Sequence, residues 1–302
     1  MASLPQSDEI LLCTKDTPLD VIEIFWRRAL FAESKKVYCL VNVDLLNYEV
    51  SDKAEVSLDR HMQSANEKGI PYQLVVFCGS ENEFKSRMVA AIDSYRRLRL
   101  QMKDESHVKS YLSKQLCTET AITSKHALCV DIEKSSVRVV KSVRAGLGKT
   151  LFVKNMKAAL DNKRKEEKLN CDDHCLVTIS IYGKCLLLDD VAEILLDQTQ
   201  IHMPEYGRIF HIDIAHEVEE GLDLFLFQLI VLGCVTHRSG HVWRKSAMDY
   251  FIVESMPLLD KAVKTDMNQL KCLSQCMNIF PDIMCRSPVE CLRILSNQEL
   301  PG

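Results

Sequence analysis

Apolar positions along the chain switch repeatedly between a two-residue and a 3.6-residue period, which is the signature of strands alternating with helices. Residues 10–13 form a short apolar run. After it, Thr17, Pro18 and Asp20 predict a helix start, with Thr17 as cap, and Val21, Ile24, Phe25 and Ala29 share the following face. A second strand is predicted over 36–44, a helix over 48–68 ended by Gly69, and a third strand over 72–78. Helical spacing resumes from 81 to about 98. Residues 99–125 are polar without a strong period and read as a connection.

Beyond it the same rhythm returns. A β-branched stretch over 137–143 precedes Leu151, Phe152, Met156, Ala159 and Leu160 at helical spacing, up to a charged run at 163–168. Residues 176–182 predict a strong strand, 189–198 a helix with Val191, Ile194 and Leu195 inward, 208–214 a strand and 222–234 a strongly apolar helix. A strand at 250–254, a helical stretch at 258–277 and a polar tail over 278–302 complete the reading. Strands separated by helices favour a parallel sheet. The fold expected is α/β, with a parallel sheet and flanking helices in the second half and a smaller α/β segment before it. The boundary is placed near Thr120, giving segments 1–120 and 121–302.

Composition narrows the class. At 302 residues with 47% apolar and 26% charged content, the chain can bury a sizeable core, and one large or two medium domains are expected. A net charge of −4 leaves no electrostatic footprint for nucleic acid. No apolar run reaches membrane-spanning length, because Asp223 and Gln228 interrupt the longest candidate. With no signal peptide at the N-terminus, a soluble cytoplasmic protein is expected. The thirteen cysteines are odd in number, and many sit in apolar strands or helices, which argues for reduced thiols rather than a disulfide framework. Cys171–Asp172–Asp173–His174–Cys175 has a metal flavour but lacks paired ligand spacing for zinc.

Between the strand at 137–143 and the helix from Leu151 lies Arg144–Ala145–Gly146–Leu147–Gly148–Lys149–Thr150. Its end is that of the phosphate-binding loop G-x-x-x-x-G-K-[ST], and strand–loop–helix is the context that the motif requires. Small residues let successive N–H groups turn toward phosphate oxygens, and the helix behind the loop adds its positive dipole end. Ala145, Gly146, Leu147, Gly148, Lys149, Thr150 and Leu151 are the candidate nucleotide-binding residues. Lys149 is expected to bridge the β- and γ-phosphates and Thr150 to hold Mg²⁺. Val143 stands where the pattern has its first glycine; Gly146 compensates in part, since A-G-x-G-K-T is a form found in AAA+ ATPases.

A metal-directed carboxylate, of the Walker B type, is Asp213, where apolar residues run into an aspartate at a strand end. Asp189 and Asp190 compete, but come too soon after the preceding strand and read better as the start of the next helix. Asp44, also near a strand end, is read as a capping or surface residue, and His211 as a strand side chain facing a neighbour. Ile214 comes directly after Asp213, where AAA+ proteins normally carry a catalytic glutamate, which leaves Glu217 as a weak catalytic candidate. Glu254 and Ser255 end the next strand, where a water-orienting Asn or Thr is usual. Arg208 and Arg244 are candidate arginine fingers toward an adjacent unit, with surface charge the plainer reading.

The run from Arg144 to Lys154, the stretch from Ile209 to Ile214, and Gly221–Leu222 resemble an AAA+ unit of the mysterin-like giant RING-finger E3 ubiquitin ligases. So do residues 10–14, 37–44 and 72–78. The resemblance implies an ATP- and Mg²⁺-binding AAA+ module with an incomplete lid, neighbouring AAA+ units in the same long chain, and the ubiquitin machinery as partner. No RING or zinc-finger cysteine pattern occurs in the sequence, so it looks like a fragment or truncated relative. Holding ATP with little hydrolysis is the expected behaviour. A free-standing P-loop ATPase or small-molecule kinase, and an interaction domain that has lost nucleotide, are the alternatives.

Overall fold

The structure is a computed structural model that describes residues 4–32, 35–82, 86–95, 104–117, 136–142, 145–166, 176–201, 208–255 and 274–298. The chain divides into two compact units, Ala2–Gln101 and Met102–Gly302, so the division falls ahead of the boundary expected near Thr120.

The first unit is a three-stranded parallel sheet in the order β1 (Ile10–Leu12), β2 (Tyr38–Val41), β3 (Leu74–Val76). Helix α1 (Leu19–Phe31) connects β1 to β2 and packs on α2 (Tyr48–Glu67), which connects β2 to β3. Ile22, Phe25, Trp26 and Leu30 of α1 close over Tyr38, Leu40, Ala54 and Leu58 to make the core. Asn47 caps α2 by accepting from the Glu49 N–H at 3.0 Å. Five expectations change. Val21 and Ile24 do not join Phe25 and Ala29 inside: both are exposed, and Ile22, Trp26 and Leu30 complete the buried face of α1. Thr17 does not cap α1: Pro18 holds the cap position, and the Thr17 hydroxyl accepts from the Thr14 N–H at 2.8 Å. The second strand stops at Val41 because Asn42 turns left-handed (φ 58°) into a short 3-10 turn, Val43–Leu45. Asp44 caps no helix with its side chain: its carboxylate accepts from the Gly79 N–H and from Asn82 Nδ2, both at 3.0 Å, fastening the loop after β3. The helix expected over 81–98 is reduced, among the described residues, to α3 (Arg87–Ala91) and a 3-10 turn at Asp93–Tyr95.

The second unit is built on a five-stranded, all-parallel sheet. Its elements in chain order are α4 (Glu105–Leu116), β4 (Ser136–Ser142), α5 (Lys149–Glu166), β5 (Leu176–Ile181), α6 (Leu188–Ile201), β6 (Ile209–Ile214) and α7 (Leu222–Leu226). Then come the antiparallel pair β7 (Cys234–Thr236) and β8 (Val242–Arg244), then β9 (Tyr250–Ser255), α8 (Gln275–Ile279), β10 (Asp282–Cys285) and α9 (Pro288–Gln298). The strand order is β10-β4-β9-β6-β5, so β4 is interior and one strand, β9, separates it from β6.

Registered partners in a parallel sheet point to the same side, and alternate residues to opposite sides. Val140, Ile209, Tyr250 and Ile252 therefore make one face, and Val153, Met156 and Leu160 of α5 cover it. On the other face Phe210 stacks on Phe251 at 5.3 Å, and Trp243 of the hairpin meets Phe210 edge-on at 5.4 Å.

The expected helix over 222–234 breaks into α7 and a π-helical turn, Phe227–Leu232, ended by Gly233 at φ 66°. The tail expected over 278–302 instead supplies β10, the fifth strand, and α9. This strand escapes a reading by periodicity because it is four residues long and opens on Asp282. Asp282 has a reason to be there: its carboxylate meets Lys141 of β4 at 3.1 Å and Lys109 of α4 at 2.5 Å. Most of the helical stretch expected over 258–277, and the Cys171–Cys175 cluster, lie outside the described residues. No helix among the described residues is long and apolar enough to cross a membrane.

Candidate functional site

The parallel sheet brings the C-terminal ends of its strands to one edge, where loops rather than side chains must complete the fold; such edges collect ligands. The candidate phosphate-loop residues stand here, between β4 and α5. Gly146 and Gly148 have φ of 77° and 90°, a region in which a side chain is strained, and no atom lies within 4 Å of where a Cβ would project. The loop therefore presents open backbone. Ala145, Thr150 and Leu151 are exposed and Leu147 half-buried, and the first turn of α5 begins at Lys149. Val143 and Arg144 lie outside the described residues.

Lys149 points the other way, into the sheet edge, and is only 8% exposed. Its Nζ lies 3.4 Å from Oε1 of Glu254, itself 7% exposed at the end of β9. His211 of β6, 6% exposed, lies with its Nε2 3.0 Å from the second oxygen, Oε2. Burial pushes the Glu254 carboxyl up, but the hydrogen bond from His211 and the charge of Lys149 outweigh it and hold the group below the usual glutamate range. Cys285, at the end of β10, feels the same pair: burial raises its thiol, Lys149 lowers it and Glu254 raises it.

The neighbour that His211 faces is Glu254, in keeping with its reading as a strand side chain. The Lys149–Glu254 contact is not legible in the sequence. Both residues are conspicuous there, but only the strand order, with β9 beside β4, shows that they meet.

Asp213 is half-buried, two residues beyond His211 and so on the same face, and in register with Glu254. The edge thus carries a lysine, a histidine and two carboxylates side by side. Ile214 points to the opposite face and is buried, while Glu217 is exposed in the turn beyond the strand. Asp189 and Asp190 lie in the first turn of α6, as expected of a helix start, and Asp189 accepts from the Arg238 N–H at 2.9 Å.

Arg208 is neither a surface charge nor a projecting finger. It is 4% exposed, its Nε and Nη2 donate to Asp249 at 3.2 and 3.1 Å, and its guanidinium lies 5.0 Å from the Phe210 ring centre. It fastens the start of β6 to the residue before β9. Arg244 is exposed on β8.

These donors fit a polyphosphate with a small hard cation: open N–H groups, one ammonium, one exposed hydroxyl and a nearby carboxylate. Mg²⁺ keeps waters and phosphate oxygens as most of its ligands, and so needs no more than one or two side chains. Among the described residues no group of three or more His, Cys, Asp or Glu is placed to hold a metal by itself.

Residues 132–292 match the family model described as "RNF213 AAA domain", and residues 1–97 match a further model of that description. The chain is 30% identical over 298 residues to the mouse E3 ubiquitin-protein ligase RNF213, and 28% identical over 296 residues to the human protein of that name. Each alignment covers 95% of this chain, which spans only 6% of the mouse protein and 5% of the human one. Among solved structures, the Saccharomyces cerevisiae Hsp104–ADP complex aligns with a TM-score of 0.37 at 10% identity, over 93% of this chain and 54% of that one. NtrX from Brucella abortus in complex with ATP aligns with a TM-score of 0.31 at 11% identity, over 92% of this chain and 58% of that one. With a family model spanning both the Lys149 loop and the strand of Asp213, the chain belongs to the RNF213 AAA domain family.

Proposed function

We propose that the second unit binds ATP with Mg²⁺ through the Lys149 loop, as one AAA+ module of a cytoplasmic, RNF213-like E3 ubiquitin-protein ligase, and turns the nucleotide over slowly or not at all. One observation carries the binding part: two glycines with open, positive-φ backbone lead into a helix whose first residue is a buried lysine at the sheet edge. In this reading Ala145 to Leu151 supply N–H groups to the phosphates, Thr150 and Asp213 face the cation, and neighbouring AAA+ units of a longer chain are the partners. Ubiquitin transfer would be an activity of that longer chain.

The test compares Lys149→Ala with Lys154→Ala, an exposed lysine five residues on along the same helix. The ammonium of Lys149 is the main point charge facing the polyphosphate, so its loss weakens Mg·ATP binding at least about tenfold while the Lys154 variant stays near wild type. Equal affinities would remove the assignment.

Slow turnover rests on the residues next to Asp213. Ile214 cannot take or orient a proton and faces the core, and Glu217 is beyond the strand end. A missing general base forfeits roughly 10²–10⁴-fold in rate. Glu254 is a poor substitute, because His211 and Lys149 hold its carboxyl below the usual glutamate range and so weaken it as a base. Single-turnover hydrolysis of radiolabelled ATP checks this. Rapid turnover lost in Lys149→Ala would refute it, and a parallel loss in Glu254→Gln or Glu217→Gln would name the base.

The Lys149–Glu254 ion pair favours a second reading, an interaction module whose own carboxylate has replaced the phosphate. ATP would then leave the melting temperature unmoved, whereas a true ligand at about a hundredfold excess over Kd stabilises by about 2.7 kcal/mol.

A further inference from the structure

We infer that Glu254 sets the phosphate-number selectivity of this site: its carboxylate occupies Lys149 where a terminal phosphate would, so a nucleoside triphosphate gains little over a diphosphate. The inference rests on the nucleotide-binding reading and adds to it a residue outside both the loop and the aspartate strand.

Three features support it. A lysine ammonium is a compact charge with three donors, and in a phosphate loop it serves the β- and γ-phosphates together. Here one side of that charge already faces Glu254 at 3.4 Å, in a place where neither partner is more than a tenth exposed. Second, the carboxylate is anchored. With His211 at 3.0 Å from its other oxygen, Glu254 cannot swing aside to admit a phosphate without giving up a buried hydrogen bond. Third, Asp213 stands in register with Glu254 on the same face. A γ-phosphate brought to Lys149 thus approaches the carboxylate already paired with that lysine, with a second, half-buried one beside it, and like charges at such a site repel. The β-phosphate, held mainly by loop N–H groups, is less affected.

The substitution that isolates the charge is Glu254→Gln, which keeps the shape and a partner for His211. Kd values for ATP and ADP, each with Mg²⁺, are measured by calorimetry on the full chain, wild type and variant. In the wild type the two nucleotides bind within about threefold of each other, and in Glu254→Gln ATP gains about tenfold or more while ADP changes by less than about threefold. A merely structural role would weaken both nucleotides together and leave their ratio alone. An unchanged ratio, or a shift toward ADP, overturns the inference. Should the variant not fold, the wild type still decides: ATP binding more than about tenfold tighter than ADP is incompatible with a carboxylate in the terminal phosphate's place. Binding of neither nucleotide by the wild type would refute the phosphate-loop reading, and this inference with it. Binding of both with the wrong ratio refutes the inference alone.

Discussion

Cys13 and Cys276 lie in the interiors of the first and second units. Burial, reinforced by the charges of Asp44 and Asp223 respectively, pushes both thiols up to about 12. Only the thiolate is nucleophilic, and at pH 8 almost none is present at either site. Iodoacetamide applied to the native protein at that pH will label the exposed Cys185 and Cys291 and spare these two, as read by peptide mass spectrometry. Labelling of Cys13 at the rate of Cys185 would show that the first unit opens on the time scale of the reaction. The same physics governs the site. Lys149 can be named from its loop alone, because a motif is local in sequence. Glu254 cannot be linked to it that way, because their contact depends on which strand lies beside which.

At the scale of elements, what the chain reveals depends on length and on period. The strands of Val140, Phe210 and Phe251, and the helix behind Lys149, are long and apolar enough to read directly. The short β10 begins on a charged residue whose partners are the distant Lys109 and Lys141, so its pattern looks like tail. The π turn at Phe227–Leu232 is hidden because all of its residues but Gln228 are apolar, and no change of period marks where the helix widens. Gly221 shows how a turn is enforced. It has φ 81°, opens α7, and an added Cβ would stand 2.8 Å from the Leu186 carbonyl oxygen, a backbone atom that cannot step aside. Gly221→Ala is expected to cost about 1–3 kcal/mol, since strain and clash act together. Gly183→Ala has a similar φ of 84° but open space around it, and costs about 1 kcal/mol, for the conformation alone. Urea denaturation of the two variants checks the order, and equal midpoints would contradict the clash.

For the whole molecule, the two units divide the labour. The loop with the Gly-Lys-Thr motif lies in the second, while among the described residues of the first the loop after β3 is fastened by Asp44. Saturating Mg·ATP should therefore slow amide exchange in residues 145–156 and at the ends of β6 and β9, and leave β1 to β3 unchanged. Equal protection of the first unit in hydrogen-exchange mass spectrometry would place a second nucleotide there. The position of β10 has a mechanical meaning. It pairs with β4, the strand that leads into the Lys149 loop, through four registered residue pairs from Asp282–Val139 to Cys285–Ser142. A pull applied along the chain at Cys285 loads those hydrogen bonds in shear, the direction in which they break together rather than one at a time. Tension applied beyond this edge strand would therefore enter the sheet through β4, whose last paired residue, Ser142, borders the Lys149 loop.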